Sequence, residues 1–120
     1  MRFVWVGAAG ALGSVLRYVI GLALGASAFP WGTLTVNLAG SFLIGLVFAL
    51  GEGRVVPQEL VVPLTVGFLG GFTTFSAFAW EGVSMAGKGR YGALAVYVAV
   101  SVVGGFAAAV LGRLAGTTIR

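Results

Sequence analysis

A chain of 120 residues that is 59% hydrophobic and 8% charged, against roughly 25% charged in a soluble domain, with a mean hydropathy of +1.08, belongs in a bilayer and has room for one domain. The absence of histidine and cysteine excludes thiol nucleophiles, disulfides, most transition-metal sites and the commonest general base, so the chain is not expected to be an enzyme. The net charge of +4 comes from basic residues scattered at helix ends, which points to lipid headgroups as partners and not to nucleic acid.

A bilayer core of roughly 30 Å takes about 20 apolar residues of helix. Four stretches meet that length, at about 3–26, 33–51, 58–82 and 91–114, and together they make residues 1–120 a single all-α transmembrane domain. The connections "SAFPWG", "EGRVVPQE" and "AGKGR" gather proline, glycine and charge where helices should stop. Short turns then give an up-down-up-down bundle with both termini on one side. No internal repeat is visible.

The first stretch opens with "MRFVWVG" and passes "ASA" at 26–28, which imitates a secretory signal. Arg17 argues against that reading, because it interrupts the apolar core. A guanidinium inside a span costs at least about 2.5 kcal/mol unless it faces protein, water or an interface. Arg17 therefore either snorkels beside Tyr18 or stands near an anion entrance.

In the second stretch, Gly40, Ser41 and Gly45 form a small-residue face suited to close helix packing. Asn37 needs buried partners or a hydrated cavity, and its NH2 offers two donors to an anion. The third stretch contains "GGFTTFSAF" at 70–78. Gly70 and Gly71 either weaken the helix at mid-membrane, freeing carbonyls for a partner chain, water or a cation, or else Gly67 and Gly71 form a GxxxG contact in an unbroken helix. Phe75 and Phe78, three apart, project to one side, and their ring edges can attract a small anion. In the fourth stretch Tyr97 and Ser101 are four apart and share a face. With Asn37 and the hydroxyls of "FTTFS" they would form a one-sided polar stripe.

The runs "GALGSVLRY" at 10–18, "WGTLTVNLAGSFLIG" at 31–45, "GFLGGFTTFSAFAWE" at 67–81 and "YVAVS" at 97–101 resemble the Fluc (CrcB) family of small membrane fluoride channels, across all four spans in order. The resemblance implies an antiparallel, dual-topology homodimer, multi-pass in a cell inner membrane or plasma membrane, with a third helix broken near its middle. It implies fluoride as the passively exported ion, relieving fluoride toxicity, and a structural Na+ at the dimer interface. Position by position, it makes Phe75 and Phe78 the pore phenylalanines, Asn37 the pore asparagine and Arg17 the vestibule arginine. Thr74, Ser76, Glu81, Tyr97 and Ser101 fall on further polar positions of the fluoride pathway, and Gly70 and Thr73 on the positions whose backbone carbonyls hold sodium. Gly105 departs from the pattern where some members carry another serine.

Charge placement agrees with dual insertion. The terminal side would hold Arg2, Arg54, Arg113 and Arg120, the other Lys88, Arg90 and, near it, Arg17, which is almost no positive-inside bias. The rival reading is a small dual-topology proton-coupled multidrug exporter. That chemistry needs a carboxylate in the first span, and this first span has none.

Overall fold

The computed structural model describes residues 1–120. Two long helices open the chain, α1 (Arg2–Leu24) and α2 (Trp31–Glu52). The third crossing is composite: α3 (Gln58–Val62), a π-helical segment Pro63–Leu69, α4 (Gly70–Phe72) and α5 (Phe75–Gly87). The fourth is α6 (Tyr91–Ile119). Four apolar helical spans of 22 to 30 residues are long enough to cross a membrane. The expected count and order therefore hold, and the third span is broken. Its boundaries differ from expectation at the outer ends: the third runs to Gly87 and the fourth to Ile119, because Gly and Thr at those ends still continue the helix. The first stops at Leu24, where Gly25 takes φ 71°, a conformation costly for any residue with a Cβ.

Pro63 explains the π-helical segment. It has no N–H to give the preceding turn, and the widened turn that absorbs this runs from Pro63 to Leu69. At the other end of the span, Gly89 (φ 69°) closes the turn into α6. The Arg90 N–H reaches back to the Met85 carbonyl at 2.9 Å, the six-to-one bond of a glycine-terminated helix.

Packing between helices runs along glycine seams. A Cβ built on Gly112 would lie 1.9 Å from the Phe42 carbonyl oxygen, and one on Gly45 2.2 Å from that of Ala109. α2 and α6 thus touch backbone to backbone. The same holds between α1 and the third span, where a Cβ on Gly13 would meet the Phe68 carbonyl oxygen at 2.0 Å. Gly67 and Gly71 pack on α1 in the same way, at 2.7 Å from the Val6 oxygen and 2.4 Å from the Gly10 oxygen. Each of the two alternative readings of the third span holds in part: Gly67 and Gly71 form the GxxxG contact but not in an unbroken helix, and the span is broken but not at Gly70 and Gly71. The small face of α2 is split rather than shared. Gly40 sits over the Thr73 methyl and Gly45 over α6, while Ser41 turns its hydroxyl to the Asn37 carbonyl at 2.7 Å.

The bundle measures 48 × 30 × 20 Å. Its long axis exceeds a hydrocarbon core of about 30 Å. Its thinnest dimension is only two helix diameters of about 10 Å. Few side chains are enclosed, among them Val36, Leu69, Phe72 and Tyr97. Gly112→Val is expected to remove the folded protein, since the clash is with backbone and exceeds the roughly 1–3 kcal/mol typical of overpacking. Gly7→Ala, with nothing within 4 Å, should change little. Size-exclusion profiles after graded heating in mild detergent compare the two, and equal survival would contradict the seam.

Candidate functional site

The break falls at Thr73, three residues after Gly70 and two after Gly71. Gly70, Gly71 and Phe72 remain helical, and Thr73 (φ −91°, ψ 158°) and Thr74 (φ −151°, ψ 114°) are extended. Adjacent β-branched residues favour that conformation, and threonine favours the position before a helix start. The Thr74 hydroxyl caps α5 by accepting the Ala77 N–H at 3.1 Å.

Three side chains take over the bonds that the break removes. The Asn37 Oδ1 accepts the Thr74 N–H at 2.8 Å, and its Nδ2 donates to the Thr74 carbonyl at 3.1 Å. Arg17 Nε donates to the Gly71 carbonyl at 3.0 Å, with Ser14 Oγ reaching the same oxygen at 3.5 Å. Arg17 therefore spends a donor on backbone inside the span, which neither sequence reading of it anticipated. The Gly70 and Thr73 carbonyls differ. The amides four residues on belong to Thr74 and Ala77, which donate to Asn37 and to the Thr74 hydroxyl instead. No side chain donates to either oxygen, and the Thr73 carbonyl accepts no backbone N–H.

A cavity of about 360 Å³ lies against the break and gathers Asn37, Gly70, Thr73, Thr74, Phe75, Phe78 and Ser101. Phe75 and Phe78 have ring centroids 5.7 Å apart, and the Phe75 ring, 80% exposed, stands on the lateral surface of the subunit. The Ser101 Oγ is buried without a partner. One Asn37 N–H is committed to Thr74, so the second N–H and the Ser101 O–H are the uncommitted donors of this cavity. Beyond Ser101 the lining continues into a space of about 320 Å³ beside Ser41, Gly105 and Phe106. A Cβ on Gly105 would lie 3.6 Å from Ser41 Oγ, an ordinary contact.

The expected single polar stripe is divided. Tyr97 shares its helix face with Ser101, yet its hydroxyl donates to Glu81 Oε2 at 2.6 Å, and Thr33 donates to Glu81 Oε1 at 2.7 Å. Phe78 joins the two groups, its ring 5.1 Å from that of Tyr97. Arg17 lines a separate cavity of about 260 Å³ with Tyr18, Thr33 and Thr74. Ser76 is exposed, with its hydroxyl 3.2 Å from that of Thr74. Sequence reasoning passed over Ser14 and Thr33 and read Ser41 only as packing. The signal for two of them was present, since Thr33, Asn37 and Ser41 recur every four residues and so share one face of α2.

Residues 4–113 match the family described as CrcB-like protein, Camphor Resistance (CrcB). The chain belongs to the CrcB family. Relatives named fluoride-specific ion channel FluC match it along most of its length. The protein from Bordetella petrii is 43% identical over 100% of this chain and 94% of its own. That from Chlorobium luteolum is 44% identical over 92% and 88%, and that from Rhizobium etli 50% over 78% of each.

In this CrcB-family chain, Asn37→Asp retains an acceptor for the Thr74 N–H but sets an oxygen against the Thr74 carbonyl. Losing that donor is expected to destabilise the fold by about 1–3 kcal/mol. Thr35→Ala, exposed on the same helix, should not. Unfolding midpoints in sodium dodecyl sulfate titrations measure both, and an unshifted Asn37→Asp midpoint would show that the amide does not brace the break.

Proposed function

We infer that the chain is a multi-pass membrane channel that conducts fluoride passively and so relieves fluoride toxicity. The observation that carries this is the match along essentially the whole chain to relatives named fluoride-specific ion channels. The geometry agrees with it. Fluoride is small and strongly hydrated, so a path must replace its water with N–H, O–H and ring-edge contacts. Asn37 and Ser101 hold uncommitted donors facing one cavity with Phe75 and Phe78. Thr74, Ser76, Glu81 and Tyr97 extend the polar groups along α5 and α6, and Arg17 adds positive charge at the adjoining cavity. The exporter reading loses support: α1 carries no carboxylate, and both oxygens of Glu81 are held by hydroxyls.

Function in this reading belongs to an antiparallel pair of subunits. A ring that lines the cavity while 80% exposed has no second wall within its own chain. A slab 20 Å thin cannot enclose a pore and also cover it. A second copy closes the cavity. A sodium ion shared by the two chains is supported by the carbonyls of Gly70 and Thr73: both residues line this open side, the N–H groups four residues on are given to other acceptors, and no carboxylate lies among the residues around them. Oxygen donors without fixed negative charge favour a hard monovalent cation. When bound, it would offset the dipoles of these carbonyls and make the membrane centre less hostile to an anion.

Liposomes containing the purified chain are expected to release fluoride and retain chloride; equal release of both would reject the assignment. Phe75→Ile and Phe78→Ile should each slow fluoride release at least tenfold while leaving the assembled protein, because a volume-similar swap costs under about 1.5 kcal/mol of packing but removes the ring edge. Parent rates in both would reject the ring-edge role. Dimers diluted in detergent should dissociate faster in N-methylglucamine than in sodium buffer, and identical lifetimes would remove the shared ion.

A further inference from the structure

The polar groups do not stop at Glu81. On α5, Glu81 and Ser84 stand three residues apart on one helix face, and Lys88, the residue that follows the last turn, comes four residues later on the same side. A cavity of about 110 Å³ lies against that face, at the membrane end away from the termini. Ser27 and Pro30 from the first connection, Ser84 from α5, and Lys88 and Arg90 from the last connection surround it, and Glu81 closes its inner end. Arg90 also donates to the Ala28 carbonyl and so ties the two connections together across the opening. Lys88 is exposed and pairs with no carboxylate; the single ion pair of the chain joins Arg120 to Glu52 at the opposite end.

Topological anchoring accounts for two basic residues at a membrane surface. It does not account for a hydroxyl-lined pocket beneath them that ends on a carboxylate already joined, through Tyr97 and the Phe78 ring, to the cavity at the break. We propose that this pocket is the second mouth of the ion path, an anion-collecting site in which Lys88 and Arg90 draw small inorganic anions from solution toward Ser84. The inference rests on reading the chain as a fluoride channel. The two cations lie toward solution and the Glu81 carboxylate lies deeper, so the pocket concentrates an anion without holding it tightly, as a conducting path requires. Lys88 is a steering residue, and its effect is electrostatic and open to screening.

The absence of cysteine allows a test in which insertion, folding and assembly are held constant. Lys88→Cys is purified, divided, and labelled in detergent with a cationic or an anionic methanethiosulfonate before reconstitution. At low-millimolar fluoride and low ionic strength, reversing one unit charge roughly 8 Å from the entering anion is expected to make release about fivefold faster with the cationic label. The difference should largely vanish in about 0.5 M impermeant salt, where the screening length is well below 10 Å. Equal rates at low salt would overturn the proposal, and so would a difference that salt leaves unchanged, since that marks a steric effect of the label. A parent chain that releases no fluoride would overturn the channel reading itself, and that result is obtained before any label is added.

Discussion

The paired hydrogen bonds between the Asn37 amide and the Thr74 backbone are the constraint on which the rest of the structure depends. Within a bilayer, unsatisfied backbone groups cost several kcal/mol each, so a helix can be interrupted only where something stands in for its missing turn. A side-chain amide presents one acceptor and a donor pair in a single plane, and Asn37 uses both kinds on one peptide neighbourhood. With Thr74 fixed, α5 restarts from a capped end and projects Phe75, Phe78 and Glu81 at intervals of three. Arg17 performs the complementary task at Gly71. The exceptions are as informative as the repairs, because Gly70 and Thr73, whose carbonyls receive none of these side-chain bonds, both line the same open cavity.

That arrangement requires α2 to stand close to the break, and glycine makes the approach possible. Gly40 lies directly over the Thr73 methyl, where any Cβ would intrude at 2.1 Å. Gly13, Gly67 and Gly71 bring α1 near enough for Arg17 and Ser14 to reach a backbone oxygen. In lipid, apolar side chains gain little by leaving hydrocarbon for a helix neighbour, so close backbone contact carries the association. Glycine abundance, polar repair and cavity are thus consequences of one another.

Much of this was legible in the residues. Four spans and their order follow from hydropathy and spacing, as do the close contacts at Gly45, Gly67 and Gly71, and a break in the third span was expected within a few residues of where it falls. What spacing misjudged was its agent. Low helix propensity drew the break to Gly70, whereas Gly70 stays helical, Gly71 lets α1 approach, and extended Thr73 and Thr74 make the turn. The partners of Arg17 and Glu81 were also illegible. They lie 54 residues away in one case, and 48 and 16 in the other, and a single sequence does not report which side chains meet across helices. Thr33 is the instructive omission, because its four-residue spacing from Asn37 was readable without any structure.

The π-helical segment from Pro63 to Leu69 gives the third span a property of phase. Each residue of an α-helix advances the azimuth by about 100°, and a widened turn accommodates surplus residues without an equal advance. The angular setting of everything that follows, including which way Gly70 and Gly71 face, is therefore fixed by how many residues this segment stores. The widened turn acts as a vernier between the outer end of the span and its centre: it lets the outer end answer to the proline and the centre to α1, with one continuous backbone meeting both demands.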